Sequence, residues 1–160
     1  MGRTMPTVNK HLEKVRSNYA LFKKISTDTD WQHVDWFALV GYYTTVHCAE
    51  AFFAKGLDPE GQGHSTTHYD RLARLKKHRD VYHKMFVRMS VLFQFSLVAR
   101  YMSVVCDPFA PPDKRKYCEV ADIESFNAGH GKTADRVAHL VGWVVKKTEQ
   151  LLPESSPYVN

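Results

Sequence analysis

The sequence predicts an all-α fold, an up-and-down bundle of four main helices plus one short helix. Three observations carry this. Apolar residues recur at three- and four-residue steps along most of the chain, no segment alternates in the manner of a strand, and turn-forming clusters separate the periodic stretches. With 160 residues, 44% of them hydrophobic, the chain suffices for one domain with a real core. The expected domain spans residues 1–160, with a loose tail from about residue 153.

Val8, Leu12, Val15, Tyr19, Phe22 and Ile25 define a first helix. The run Ser26-Thr27-Asp28-Thr29-Asp30 stops it and offers caps for the next. A second helix is expected over residues 32–55. Trp36, Val40, Tyr43, His47, Glu50 and Ala54 form one stripe on it, and Phe37, Tyr42, Val46, Ala49 and Phe53 widen its apolar surface. A helix this apolar should be central, with Trp36, Val40 and Tyr43 in the core. Gly56 suits its C-terminal cap.

Asp58-Pro59-Glu60-Gly61-Gln62-Gly63 marks a loop. Helical signal resumes near Thr67 with Tyr69, Leu72 and Leu75, breaks or bends near His78, and continues through Val81, Met85, Met89, Leu92, Ser96 and Ala99 to about Val105. Three prolines between Asp107 and Asp113 forbid a helix and predict a surface loop. Val120, Ile123 and Phe126 suggest the short helix. The last long helix runs over residues 132–152, and Pro153 ends it.

The net charge of +5 and a pI near 9.1 permit a nucleic-acid partner without requiring one. Nothing approaches the roughly 18 apolar residues of a membrane helix, and residues 1–24 do not read as a signal peptide. The expected location is cytoplasmic, with no membrane association. Cys48, Cys106 and Cys118, an odd number with no CxxC pair, argue against a disulfide framework and against a thiolate zinc site.

His47 is the most informative single residue. It lies on the stripe of the second helix, with Tyr43 and Glu50 within helical reach. It reads either as a satisfied core histidine or as a base beside a polar pocket. His64 and His68 form an H-x3-H pair, but the glycines before His64 put it in the loop. A metal would need a further ligand from His47, Glu50 or another helix, so no metal set is complete and no cofactor is called for. Arg100 ends an apolar helix and should have a specific partner, for which Glu50 is the candidate. Gly131-Lys132-Thr133 looks like the end of a phosphate loop, but Phe126 stands where that loop needs glycine. Lys132 at a helix start remains an anion-binding candidate.

Residues 35–54 (Asp35-Trp36-Phe37 through Tyr42-Tyr43 and His47 to Ala54) resemble the second helix of HEPN-type helical proteins. Gly63-His64-Ser65 through His68 and Arg71 resembles that group's loop-histidine-arginine segment, and Phe95-Ser96 through Ala99-Arg100-Tyr101 its third-helix ending. The resemblance spans about residues 31–101. It implies a helical bundle, often a homodimer, associated with RNA or a nucleotide. Many members are metal-independent ribonucleases of defence or toxin–antitoxin systems, with an arginine four to six residues before a histidine. Here the chain diverges: Arg136 and His139 are two residues apart, while Arg71 and His78 fit the spacing early in the chain. The resemblance thus implies either a ribonuclease, with His47, His64, His68 and His78 as base candidates and Arg71 and Arg100 as cations, or a non-catalytic homodimeric module working with a protein encoded nearby. Tyr43, Glu50, Tyr101 and Lys132 are binding candidates. A metal-dependent bundle enzyme using His47, His64 and His68 is the third alternative.

Overall fold

The computed structural model describes residues 6–27, 34–57, 63–77, 81–107 and 110–152. The helices are α1 (Val8–Thr27), α2 (Val34–Ala54), α3 (His68–Lys77), α4 (Val81–Tyr101), α5 (Ile123–Phe126) and α6 (Thr133–Leu151). Two three-residue strands, β1 (Ser103–Val105) and β2 (Tyr117–Glu119), form a hairpin. The all-α reading holds, with this hairpin added. No described helix is long and apolar enough to cross a membrane.

α2 is the centre, in contact with α1, α4 and α6, while α3 packs on α4. Its buried residues cover most of its circumference: Phe37, Ala38, Gly41, Tyr42, Thr44, Thr45, Cys48, Ala49 and Phe52 among them. Thr44 and Thr45 bury their hydroxyls by donating to the carbonyls of Val40 and Tyr42, each at 2.8 Å. The threonines therefore cost the core no unmatched polar group.

The stripe read from the sequence is divided: its first half faces outward, while Glu50 further along is buried. Trp36 is 60% exposed and Tyr43 37%, with Val40 and His47 half-buried between them. Trp36 and Tyr43 are therefore not core residues. Periodicity finds a face; it cannot say which face points inward when the helix is apolar all round.

The hairpin overturns the cysteine reading. Antiparallel pairing sets Val104 against Cys118, and Cys106 and Cys118 are joined in a disulfide with Cα atoms 6.6 Å apart. Cys48 is the free, buried thiol. Three-residue strands are too short to show alternation, so nothing in the pattern brought the two cysteines together. Met102, left-handed at φ 49°, turns the chain out of α4, and Gln94 pins β1 to α4 by exchanging two 3.0 Å hydrogen bonds with the backbone of Val105.

Gly41 sets how closely α1 and α6 approach α2. A Cβ there would lie 2.8 Å from Val141 Cγ2 and 2.9 Å from Phe22 Cε2. Phe22 is stacked on Phe37 at 4.1 Å and cannot swing aside. Overpacking of this kind costs about 1–3 kcal/mol, against roughly 1 kcal/mol gained from helix propensity. Gly142, in α6, has only the Tyr19 hydroxyl at 4.0 Å. Urea unfolding should therefore show Gly41→Ala destabilised by about 1 kcal/mol and Gly142→Ala stabilised by up to about 1 kcal/mol. Equal stabilisation by both substitutions would contradict the packing described.

Candidate functional site

Residues 63–67 lie beside α2 and lead into α3. Thr67 caps α3, its hydroxyl accepting from the Asp70 N–H at 3.0 Å, and Asp70 reaches back to accept from the Thr66 N–H at 2.9 Å. Arg74 bonds Asp70 and donates to the Gly63 carbonyl at 2.7 Å. These contacts fix residues 63–67, and with them the positions of His64 and Ser65.

Glu50, buried on α2, is the hub. Oε1 accepts from Arg71 Nε at 2.8 Å and from the Ser65 hydroxyl; Oε2 accepts from the Ser65 N–H at 3.2 Å and from His64 Nδ1 at 3.0 Å. Burial alone would raise the Glu50 pKa, but Arg71, Ser65 and His64 outweigh it and hold the carboxyl below its ordinary value. His64 Nε2 donates to the Pro6 carbonyl at 2.7 Å.

Arg71 passes the network on. Its Nη1 donates to His68 Nδ1 at 2.9 Å, and the Tyr42 hydroxyl lies 2.9 Å from the same nitrogen. Burial, then Arg71 and Arg100, lower the His68 pKa to about 4, so its ring is neutral and Nδ1 accepts. Burial pushes the Tyr42 hydroxyl up.

On the α1 side, His11 Nδ1 lies 3.2 Å from His47 Nδ1. Burial and then the neighbouring His64 and His47 lower the His11 pKa to about 4. Burial, Arg71 and Lys14 lower that of His47. Both rings are neutral at pH 7.

Two surface grooves meet at His47. One, of about 660 Å³, is lined by Pro6, Lys10, His11, Glu13, Lys14 and His47. The other, of about 550 Å³, includes Lys14, Trp36, Leu39, Tyr43, His47 and Arg100. The exposed stripe of α2 is thus one wall of a basic, aromatic groove.

The sequence candidates separate accordingly. Glu50, His64, His68 and Arg71 form one buried network; His47 and Tyr43 border the groove. Arg100 does not pair with Glu50, whose guanidinium partner is Arg71. It lines the groove instead, with Nε donating to the Ser96 carbonyl at 3.0 Å and its guanidinium 5.0 Å from the exposed Tyr101 ring. Lys132 precedes α6 as its N-cap without a side-chain capping bond, and beside it Thr133 donates to Glu124 at 2.5 Å and Asn127 to the Gly131 carbonyl at 2.8 Å. His78 lies outside the described residues. The set His47, His64 and His68 is divided, since His68 Nδ1 is taken by Arg71 and Tyr42. His11 escaped the sequence reading, although a histidine beside Leu12 on the buried face of α1 was the signal.

A buried ion pair punishes loss of one partner more than loss of both. Glu50→Gln and Arg71→Met should each cost about 3 kcal/mol by denaturant unfolding, and the double variant less than their sum. Additive losses would remove Glu50 as the organising charge. Asp70, held below its ordinary pKa by the Thr66 N–H and Arg74 despite a burial effect that raises it, stabilises the fold above the unfolded pKa of about 4. That contribution is lost as the pH falls through the lower folded value. The stability difference between the native chain and Asp70→Asn should therefore be full above about pH 5 and close at more acid pH; a difference constant to pH 2 would refute this role. Comparison with family models, with curated proteins and with solved structures finds no match to this chain.

Proposed function

We propose that this chain is a HEPN-like domain that binds single-stranded RNA or a nucleotide in the groove between α1 and the open face of α2. The observation that carries the reading is the pairing, in one groove, of exposed aromatic rings with cations: Trp36 and Tyr43 beside Lys14 and Arg100. Unstacked bases are held on aromatic faces and the phosphates by lysine and arginine, whereas a duplex hides its bases from such a groove. The basic balance of the chain and its HEPN resemblance agree with this.

Cleavage is the stronger form of the same reading. Metal-independent cleavage needs a base for the 2′-hydroxyl proton and a cation for the charge that develops on phosphate. His47 is neutral and sits where the two grooves meet, and Lys14 and Arg100 line the same walls. Arg71 is engaged with buried Glu50, so its part is to support the site rather than to touch a strand.

A homodimer is the second reading, favoured by Leu21 at 48% exposure beside Trp36 on this face. It uses the groove that RNA would occupy, so the two readings are separable.

Fluorescence anisotropy with a labelled single-stranded RNA should show binding that Trp36→Ala and Arg100→Ala each weaken by roughly tenfold, as base stacking and phosphate contacts are worth. Duplex RNA should bind more weakly. Incubation in EDTA tests cleavage, which His47→Ala should abolish without abolishing binding. Failure to bind at low salt, together with dimer dissociation on Trp36→Ala in light scattering, would establish the interaction module instead.

A further inference from the structure

His11 poses a problem that the RNA reading leaves unused. It is a buried imidazole, 7% exposed, and its Nε2 has no hydrogen-bond partner among the described residues. Its Nδ1 is occupied with His47. If His11 donates to His47, Nε2 is a bare buried lone pair; if it accepts, Nε2–H is a buried donor with no acceptor. Either arrangement leaves a buried polar group unmatched, which is costly.

The surroundings name what would match it. One ring nitrogen of His11, one of His64 and one carboxylate oxygen of Glu50 lie within 4.8 Å of one another. The His11 and His64 rings are 4.8 Å apart, centroid to centroid. Each donor also has an outer partner of the kind that orients metal ligands. His64 Nε2–H donates to the Pro6 carbonyl at 2.7 Å, which turns Nδ1 toward Glu50. Glu50 Oε1 is held by Arg71 and Ser65, which turns Oε2 toward His64. His11 Nδ1 rests against His47, which leaves Nε2 for the site.

We propose that His11 Nε2, His64 Nδ1 and Glu50 Oε2 form a site for one divalent zinc-type ion. Two imidazoles and one carboxylate suit zinc and its neighbours, whereas calcium and magnesium take all-oxygen shells. Metal–ligand bonds near 2.0–2.1 Å put tetrahedral donors roughly 3.4 Å apart, so donors now up to 4.8 Å apart draw in, while the 3.0 Å His64–Glu50 pair opens by about 0.4 Å. A fourth position is available on the groove side, where Pro6, His11 and His47 line the wall. The ion would tie α1, α2 and the 63–65 segment together. The Arg71 charge on the far carboxylate oxygen weakens the site, and the ion must also displace the proton through which His64 Nδ1 meets Glu50. The inference does not depend on RNA binding.

The test uses tag-free chain, stripped with EDTA, desalted and titrated with Zn2+ by calorimetry and with Co2+ by visible absorption. One equivalent of Zn2+ should bind, displacing Co2+ whose spectrum is that of a four- or five-coordinate ion. His11→Gln and His64→Gln should each weaken Zn2+ binding by more than the ~10–100-fold that outer partners control. A thermal melt should rise with Zn2+ in the native chain alone. If a variant fails to fold, histidine 15N spectra of the native chain decide, with two ring nitrogens shifting on addition of Zn2+. Less than about a tenth of an equivalent bound, unchanged affinity in folded His11→Gln, or an unshifted histidine spectrum would each overturn the proposal.

Discussion

A carboxylate on the inner part of an apolar helix has lost most of its water and must be repaid in hydrogen bonds and opposite charge. Glu50 meets that demand with Arg71, Ser65 and His64 together. The placement of residues 64 and 65 against α2 follows from this one group. Arg71, once drawn inward, needs acceptors for the rest of its guanidinium, and the neutral ring of His68 supplies one. Tyr42 completes the chain of contacts from the α2 interior to the start of α3. Electrostatic satisfaction of a single buried group thus links five other polar side chains.

Below the groove, then, lies a rigid polar layer, and above it an open surface of rings and cations. The two layers meet at His47, whose neutral state follows from burial and from the positive charges of Arg71 and Lys14. Under the proposed function, an uncharged base beside lysine and arginine is the combination that proton transfer near a phosphate requires. The buried network thus contributes to stability separately from the residues that line the groove.

Much of the architecture was legible in the sequence because α1, α3 and α6 are amphipathic, and their periodicity fixes which side is inward. α2 was legible only as a helix. Its residues are apolar on nearly every side, so Trp36 and Tyr43 looked like core when they form the exposed strip. The grouping of Glu50, His64, His68 and Arg71 could be suspected from helical spacing and loop signals, but the assignment of Arg71 rather than Arg100 to Glu50 needed the fold of the loop. His11 was invisible for another reason: its partners are 36 and 53 residues away in the chain, and no local pattern encodes that distance. The hairpin, with three-residue strands, gave no periodic signal at all.

That hairpin has a consequence for the plasticity of the chain. The Cys106–Cys118 bond and the Gln94 clasp on Val105 hold the two strands of the hairpin to each other and to α4. Extra residues placed between Cys106 and Pro111 would enlarge a ring that is already closed, at a closure cost that grows only with the logarithm of its length. The bundle would not have to shift register to accommodate them. The ring closed by Cys106 and Cys118 is thus a place where the fold can acquire a new surface element by insertion rather than by substitution.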